Sequence, residues 1–317
     1  RELGPPLPHD APPLPRHGGA LNPGPLMEAV VAAFCPPGAP QPRGGGRHGE
    51  EPDQHDAQEF LTFLLDAAHQ ELLLLRRRHA DDTTALLGRS PGGGGDEEEW
   101  EQVGKGNRSA VTRGQASAQG GSSHVSAIFG GALRSEVRTP RARPSATRQH
   151  FTVLHLDIYP PAVGSVEAAL ALHTAPETIS GYRAEGSAIE SDATKRVQLL
   201  ELPQVLVLHL MRFTYGAAGT GKLHKSVSYG PTLQLKASML ADGCTNARSG
   251  TTYDLLAAVQ HHGRTPTGGH YTADVRAGGP GGEWMHFNDD RVASVGEADV
   301  LHGNAYLLVY SRRAGSH

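Results

Sequence analysis

The sequence predicts an α+β fold, on three observations. One segment near residue 60 carries apolar side chains at helical spacing. Almost everything after residue 125 reads as short strands. Polar stretches rich in Gly and Pro precede the helix and separate it from the strands. One helical segment followed by a run of strands is the pattern of an α+β domain.

Residues 1–50 are dominated by Pro, Gly, Arg and His, with one apolar patch from Leu26 to Phe34. Such a composition offers little to bury and does not fold alone. From Asp53 to Arg78, the residues Ala57, Phe60, Leu61, Leu64, Leu65, Ala68, Leu72 and Leu75 recur at three- and four-residue steps. That spacing lines one face of a helix about 25 residues long. Asp53 is placed to cap it, with Asp56 and Glu59 adding negative charge at its positive end. Residues 79–124 hold the Gly92–Gly95 run and the acidic Asp96–Glu99 block, the composition of an inserted linker. Trp100 and Val103 are its candidates for docking.

Strands follow. Phe151–Ile158 is a strand candidate, and Ser165 is placed to cap a short helix reaching Leu172. Val205–Phe213 is apolar on both faces, as a central buried strand is. Tyr253–Gln260, His270–Arg276, Glu283–Asn288 and Asn304–Ser311 read as successive antiparallel strands joined by Gly-rich turns. The expected organisation is an N-terminal segment over 1–50, a helix over 51–78, an insertion over 79–124 and a β-rich body over 125–314.

Composition excludes several functions. The formal charge of −4 is not the basic footprint of a nucleic-acid binder. No run of 18 apolar residues is present to span a membrane. Cys35 and Cys244, the two cysteines, cannot build a disulfide framework or a four-cysteine zinc site. The start at Arg1 has neither Met nor an apolar leader, so the expectation is a soluble intracellular fragment, cytoplasmic and also nuclear.

Among 18 histidines, His270 stands out because Gly268 and Gly269 precede it and Tyr271 follows. Two glycines allow close approach of another backbone. If the loop 277–282 turns symmetrically about Gly279, His270 stands opposite Asn288. Directly opposed side chains lie roughly 5 Å apart at Cβ, within reach of a bond from His270 Nδ1–H to the Asn288 carbonyl. Asp289 then faces the other side and Asp290 is a diagonal neighbour. A histidine held by an asparagine is the orienting half of a cysteine-protease site. From spacing alone, the commoner reading of Asn288-Asp289-Asp290 is a polar turn after a strand.

Five ordered blocks add to this: Gln54–Leu61 (QHDAQEFL), Leu202–Phe213 (LPQVLVLHLMRF), Gly268–Tyr271 (GGHY), Trp284–Asp289 (WMHFND) and Ala305–Tyr310 (AYLLVY). Together they resemble the ubiquitin-specific protease family over residues 50–313. Glu99–Gly104, Ser109–Arg113 and Ile128–Gly131 resemble one branch of it. The resemblance implies a papain-like fold, with a helical thumb against an antiparallel β palm and fingers, and no cofactor or metal. It implies His270 as general base, Asn288 as third triad member and Asp289 as a neighbour assisting the oxyanion. It places Asp56, Gly268, Gly269 and Tyr271 along the groove for the ubiquitin tail, and makes ubiquitin and ubiquitinated proteins the partners.

Three departures stand out. No Gly-Asn-x-Cys block is present to supply the nucleophile. Cys35 precedes two prolines, and Cys244 reads as part of a polar loop between strands. The family's paired zinc cysteines are missing, and Met211 stands where the family usually has Lys. The expected function is a deubiquitinase domain lacking its cysteine block. The alternatives are an inactive ubiquitin-binding pseudo-protease and a scaffold.

Overall fold

The computed structural model describes Val30, Ala33, Phe34 and residues 55–86, 101–103, 110–114, 121–140, 143–183, 190–216, 219–265 and 268–313. Helix α1 spans Ala57–Leu86, longer than the periodic stretch ending at Arg78. Its cap is Asp56, whose Oδ1 accepts from Gln58 N at 2.7 Å and Glu59 N at 3.4 Å. The expected cap, Asp53, lies outside the described residues. Asp56 stands immediately before the first helical residue, where a carboxylate reaches the unpaired amides of the first turn.

The stretch expected as a linker contains β1 (Glu101–Val103) and β2 (Ala110–Gly114), while Trp100 lies outside the described residues. After it come α2 (His124–Phe129), β3 (Gly131–Arg138), β4 (Ser145–Phe151) and β5 (Val153–Asp157). The predicted strand 151–158 is therefore split at Thr152 between β4 and β5. Ser123 caps α2 in a reciprocal capping box with Ser126, and His69 Nδ1 meets Ser123 Oγ at 2.7 Å, tying α1 to α2. Helix α3 (Val166–His173) carries the predicted cap, Ser165 Oγ accepting from Ala168 N at 3.2 Å.

The remaining elements are β6 (Glu177–Arg183), β7 (Glu190–Glu201), β8 (Val205–Met211), β9 (Phe213–Gly216), β10 (Gly219–Lys222), β11 (Thr232–Gln234), β12 (Leu240–Thr245), β13 (Thr252–Thr265), β14 (Gly268–Arg276), β15 (Trp284–Asn288), β16 (Arg291–Ser294), α4 (Glu297–His302) and β17 (Ala305–Arg312). They form two large sheets. The eight-stranded one runs β16-β15-β14-β13-β17-β8-β5, with β11 also on β13. The seven-stranded one runs β1-β2-β4-β3-β7-β12, with β6 also on β7. Cys244 thus lies in β12 rather than in a loop.

The core sits on the eight-stranded sheet. In β8, Leu206, Val207, Leu208 and Leu210 are buried, and in β17 so are Tyr306, Leu307, Leu308 and Tyr310. Helix α3 turns Val166, Ala169 and Leu170 into the same cluster. The buried tyrosines keep their hydroxyls paired: Tyr310 to Gly230 O at 2.9 Å, Tyr229 to Val300 O at 2.6 Å, Tyr253 to Pro203 O at 2.8 Å. That removes the desolvation cost a buried lone hydroxyl carries.

One charge is enclosed there. Arg212 is completely buried; its Nε donates to Ala305 O at 2.7 Å and its Nη1 to Lys225 O at 2.7 Å and Leu223 O at 3.3 Å. Burial pushes its pKa down to about 10, which leaves it charged at neutral pH. Met211 beside it is 44% exposed, so the missing family lysine alters surface charge and not packing.

Candidate active site

The site is built at the end of the β13–β14–β15 strand group. Strand β14 pairs with β15 through Ala273–Phe287 and Arg276–Trp284. The hairpin is therefore centred on Pro280, one residue later than a turn about Gly279. The physical reason is in the loop, where Ala277 N donates to Glu283 O at 2.8 Å and Gly282 N to Gly279 O at 3.0 Å. Gly278, Gly279 and Gly281 all adopt positive φ to make that path.

This register places Asn288 level with Thr272, so His270 is its diagonal neighbour and not its opposite. The contact nonetheless forms. His270 Nε2 and Asn288 Oδ1 are 2.7 Å apart, because diagonal neighbours on one face, about 7–8 Å apart, remain within reach of a ring. The nitrogen is Nε2, not the expected Nδ1. An amide oxygen only accepts, so Nε2 carries the proton and Nδ1 is left as the basic nitrogen. Asp289 occupies the two-residue link between Asn288 and Arg291, with φ of +53°. Asp is among the few residues with a side chain that tolerate that conformation.

Alternation puts further polar groups on the face of His270, and these were not anticipated from the sequence. His262 is directly across from His270, and its Nε2 meets Thr272 Oγ1 at 2.8 Å. Burial, then the neighbouring His270, holds the His262 pKa below its ordinary value. Asp274, 2% exposed, accepts from Gln260 Nε2 at 2.9 Å and meets His286 Nδ1 at 2.6 Å. A buried carboxylate is tolerable only with such partners. The clue was available in the period of two, once the true register is known.

The glycines work as close-approach positions. A Cβ on Gly269 would lie 2.4 Å from His261 Nε2 and 2.5 Å from His262 O. His261 is buried beneath this segment among Tyr271 (centroids 4.8 Å), Phe213 (5.2 Å) and Tyr306 (6.5 Å). Neither of its ring nitrogens has a hydrogen-bond partner. Burial, then Lys222, pushes its pKa down to about 4. Lys222 itself donates to His261 O at 2.6 Å and Gly263 O at 3.1 Å.

The remaining expected site residues fall around this core. Tyr271 stacks in the aromatic group with His261 and Tyr306. Asp56 reaches it from α1: its Oδ2 accepts the Tyr306 hydroxyl at 2.6 Å. Tyr271, Gly269 and Asp56 are thus linked through His261 and Tyr306, while His270 and Asn288 pair on the other face of β14 and β15, with Gly268 opening β14 and Asp289 in the adjoining turn. No cysteine joins them among the described residues. Burial pushes the Cys244 thiol up to about 11, the reverse of an activated thiol. Cys35 lies outside the described residues.

Residues 48–310 match the model of the family described as ubiquitin carboxyl-terminal hydrolase. The chain belongs to the ubiquitin carboxyl-terminal hydrolase family. Similar members of that family include ubiquitin carboxyl-terminal hydrolase 24 of Arabidopsis thaliana, 40% identical over 82% of this chain and 46% of the relative. Ubiquitin hydrolase B of Dictyostelium discoideum is 35% identical over 81% and 55%. Ubiquitin carboxyl-terminal hydrolase 10 of Rattus norvegicus is 36% identical over 83% and 35%. The chain spans about half or less of these relatives' length. Among solved structures, the SAGA Ubp8/Sgf11/Sus1/Sgf73 DUB module bound to ubiquitin aldehyde is similar, with TM-score 0.52 and 28% identity over 60% of this chain and 42% of that one. A form bound to monoubiquitin gives TM-score 0.51 at 30% identity, with the same coverage. The α+β architecture is that of the family's hydrolase domain.

Proposed function

We propose that this domain hydrolyses the isopeptide bond after the C-terminal glycine of ubiquitin on ubiquitinated proteins, by a cysteine mechanism in which His270 is the base. The 2.7 Å contact of His270 Nε2 with Asn288 Oδ1 carries this reading. It fixes the tautomer whose Nδ1 takes a thiol proton. The thiolate attacks the glycine carbonyl, and the lysine amine leaves with the proton from His270. Water, deprotonated by the same nitrogen, then cleaves the thioester. Asp289 supports the oxyanion from the neighbouring turn, and Asp56, Gly268, Gly269 and Tyr271 line the path of the tail. The thiol belongs to a Gly-Asn-x-Cys segment outside these 317 residues, and the protein works in the cytoplasm and nucleus.

The experiment is a fluorogenic ubiquitin amide assay on the protein extended by its upstream coding sequence. Turnover abolished by thiol alkylation and by His270→Ala supports the reading; full activity in His270→Ala ends it. A second reading is an inactive ubiquitin-binding domain, in which the His270–Asn288 pair has no thiol to serve. Ubiquitin binding without turnover in the extended protein is its mark.

A further inference from the structure

Strand β5, at the far edge of the eight-stranded sheet, runs parallel to β8 in direct register. His155 is level with His209, and Asp157 is level with Met211. Alternation sends Leu156 and Leu210, both fully buried, into the core. It sends His155, Asp157, His209 and Met211 to the opposite face. Two strands thus present a His-x-Asp and a His-x-Met side by side.

The two imidazoles are in contact. His155 Nδ1 and His209 Nδ1 are 2.8 Å apart, with ring planes at 83°. His155 is exposed, while His209 is half-buried and backed edge-on by Tyr306 at 4.8 Å. Two facing ring nitrogens either share one proton or turn both lone pairs to one cation.

We propose that His155 and His209 chelate a divalent late transition-metal ion through their Nδ1 atoms. With metal–nitrogen bonds of about 2.0 Å, a 2.8 Å separation gives an angle at the metal of roughly 90°. That is the cis angle of a square-planar or octahedral ion, so the pair is shaped for Cu²⁺ or Ni²⁺. A tetrahedral ion requires the nitrogens to open to about 3.3 Å. The solvent-exposed ring of His155 can turn to meet the ion, while His209 is held by its packing on Tyr306. Among the described residues no three His, Cys, Asp or Glu side chains converge on one point. The two imidazoles are therefore the protein's ligands and water completes the shell. Asp157 Oδ1 is engaged by Tyr159 N at 2.8 Å, and Met211, 44% exposed, offers a soft neighbour to the site.

The test titrates CuCl₂, and separately ZnCl₂, into the purified chain in a weakly chelating buffer. It is read by calorimetry and by the electron paramagnetic resonance of bound Cu²⁺. The wild type is expected to show a site with two imidazole nitrogens and Cu²⁺ bound more tightly than Zn²⁺. His155→Phe, a surface change, should weaken that site at least tenfold and remove the two-nitrogen signature. His209→Gln should do the same, with a melting curve for each variant confirming that it is folded. An unchanged spectrum and affinity in folded His155→Phe would overturn the proposal. So would Zn²⁺ binding tighter than Cu²⁺, or wild-type binding no stronger than that of both variants, which would mean proton sharing alone.

Discussion

Tyr306 donates its hydroxyl to the same Asp56 carboxylate whose other oxygen caps helix α1. A single acidic side chain therefore starts the long helix and fastens it to β17 of the sheet that carries His270. The cap and the Tyr306 bond coexist because each uses a different oxygen of the carboxylate.

That double role can be separated by mutation. Tyr306→Phe removes one hydrogen bond and should cost about 1 kcal/mol. Asp56→Ala removes the same bond and the cap, adding about 1 kcal/mol more. Urea unfolding of both variants decides; equal losses would mean that the cap contributes nothing.

The catalytic pair is expected to be unequal. In the extended protein, His270→Ala removes the base and should lower kcat/KM by at least about 10²–10⁴-fold. Asn288→Ala leaves the base and removes only its orientation, so its loss should be smaller. Asp289→Ala is the competitor. If its loss exceeds that of Asn288→Ala, oxyanion support outweighs ring orientation.

Gly269 should tolerate no side chain. A Cβ there meets His261 and the His262 carbonyl at under 2.6 Å. Neither neighbour is a free-swinging side-chain end, so Gly269→Ala should destabilise the domain by about 1–3 kcal/mol. Because His270 is the next residue, activity in the extended protein should fall with it. Stability and activity equal to wild type would show that the segment shifts freely.

His261 should make the domain acid-sensitive. Its folded pKa, about 4, lies below the ordinary value of 6.5. The unfolded chain therefore binds a proton that the native state refuses, and stability falls as pH drops from 6.5 towards 4. Lys222 and His262 add to the depression, while Asp56 opposes it. His261→Leu should flatten that part of the stability–pH curve, measured by urea unfolding between pH 4 and 7. An unchanged slope would assign the acid loss to other groups.

Much of this was readable from the residues because apolar periodicity dominates where packing does. The α1 stripe, the buried run of β8 and the Ser165 cap are all set by local pattern. The seven-stranded sheet was not readable in the same way. Strands such as β7, Glu190–Glu201, have one well-buried residue among several polar ones near each end, and their side chains give no clean alternation. The His270–Asn288 pairing was found through a register that is off by one residue at its centre. It survived because a ring reaches a diagonal neighbour as readily as an opposed one. His262, Asp274 and His286 escaped notice because a lone polar residue in a strand looks solvated until its face is known.

Arg212 has a consequence for assembly. Its guanidinium grips main-chain oxygens from Leu223, Lys225 and Ala305, the last 93 positions away along the chain. Stripped of water before those oxygens arrive, it would be an unshielded charge in hydrocarbon. The two segments, 223–225 and the start of β17, must therefore close around it together, which makes the arginine a latch on cooperativity. A lysine carries the same charge but lacks the planar fork that spans three separate oxygens.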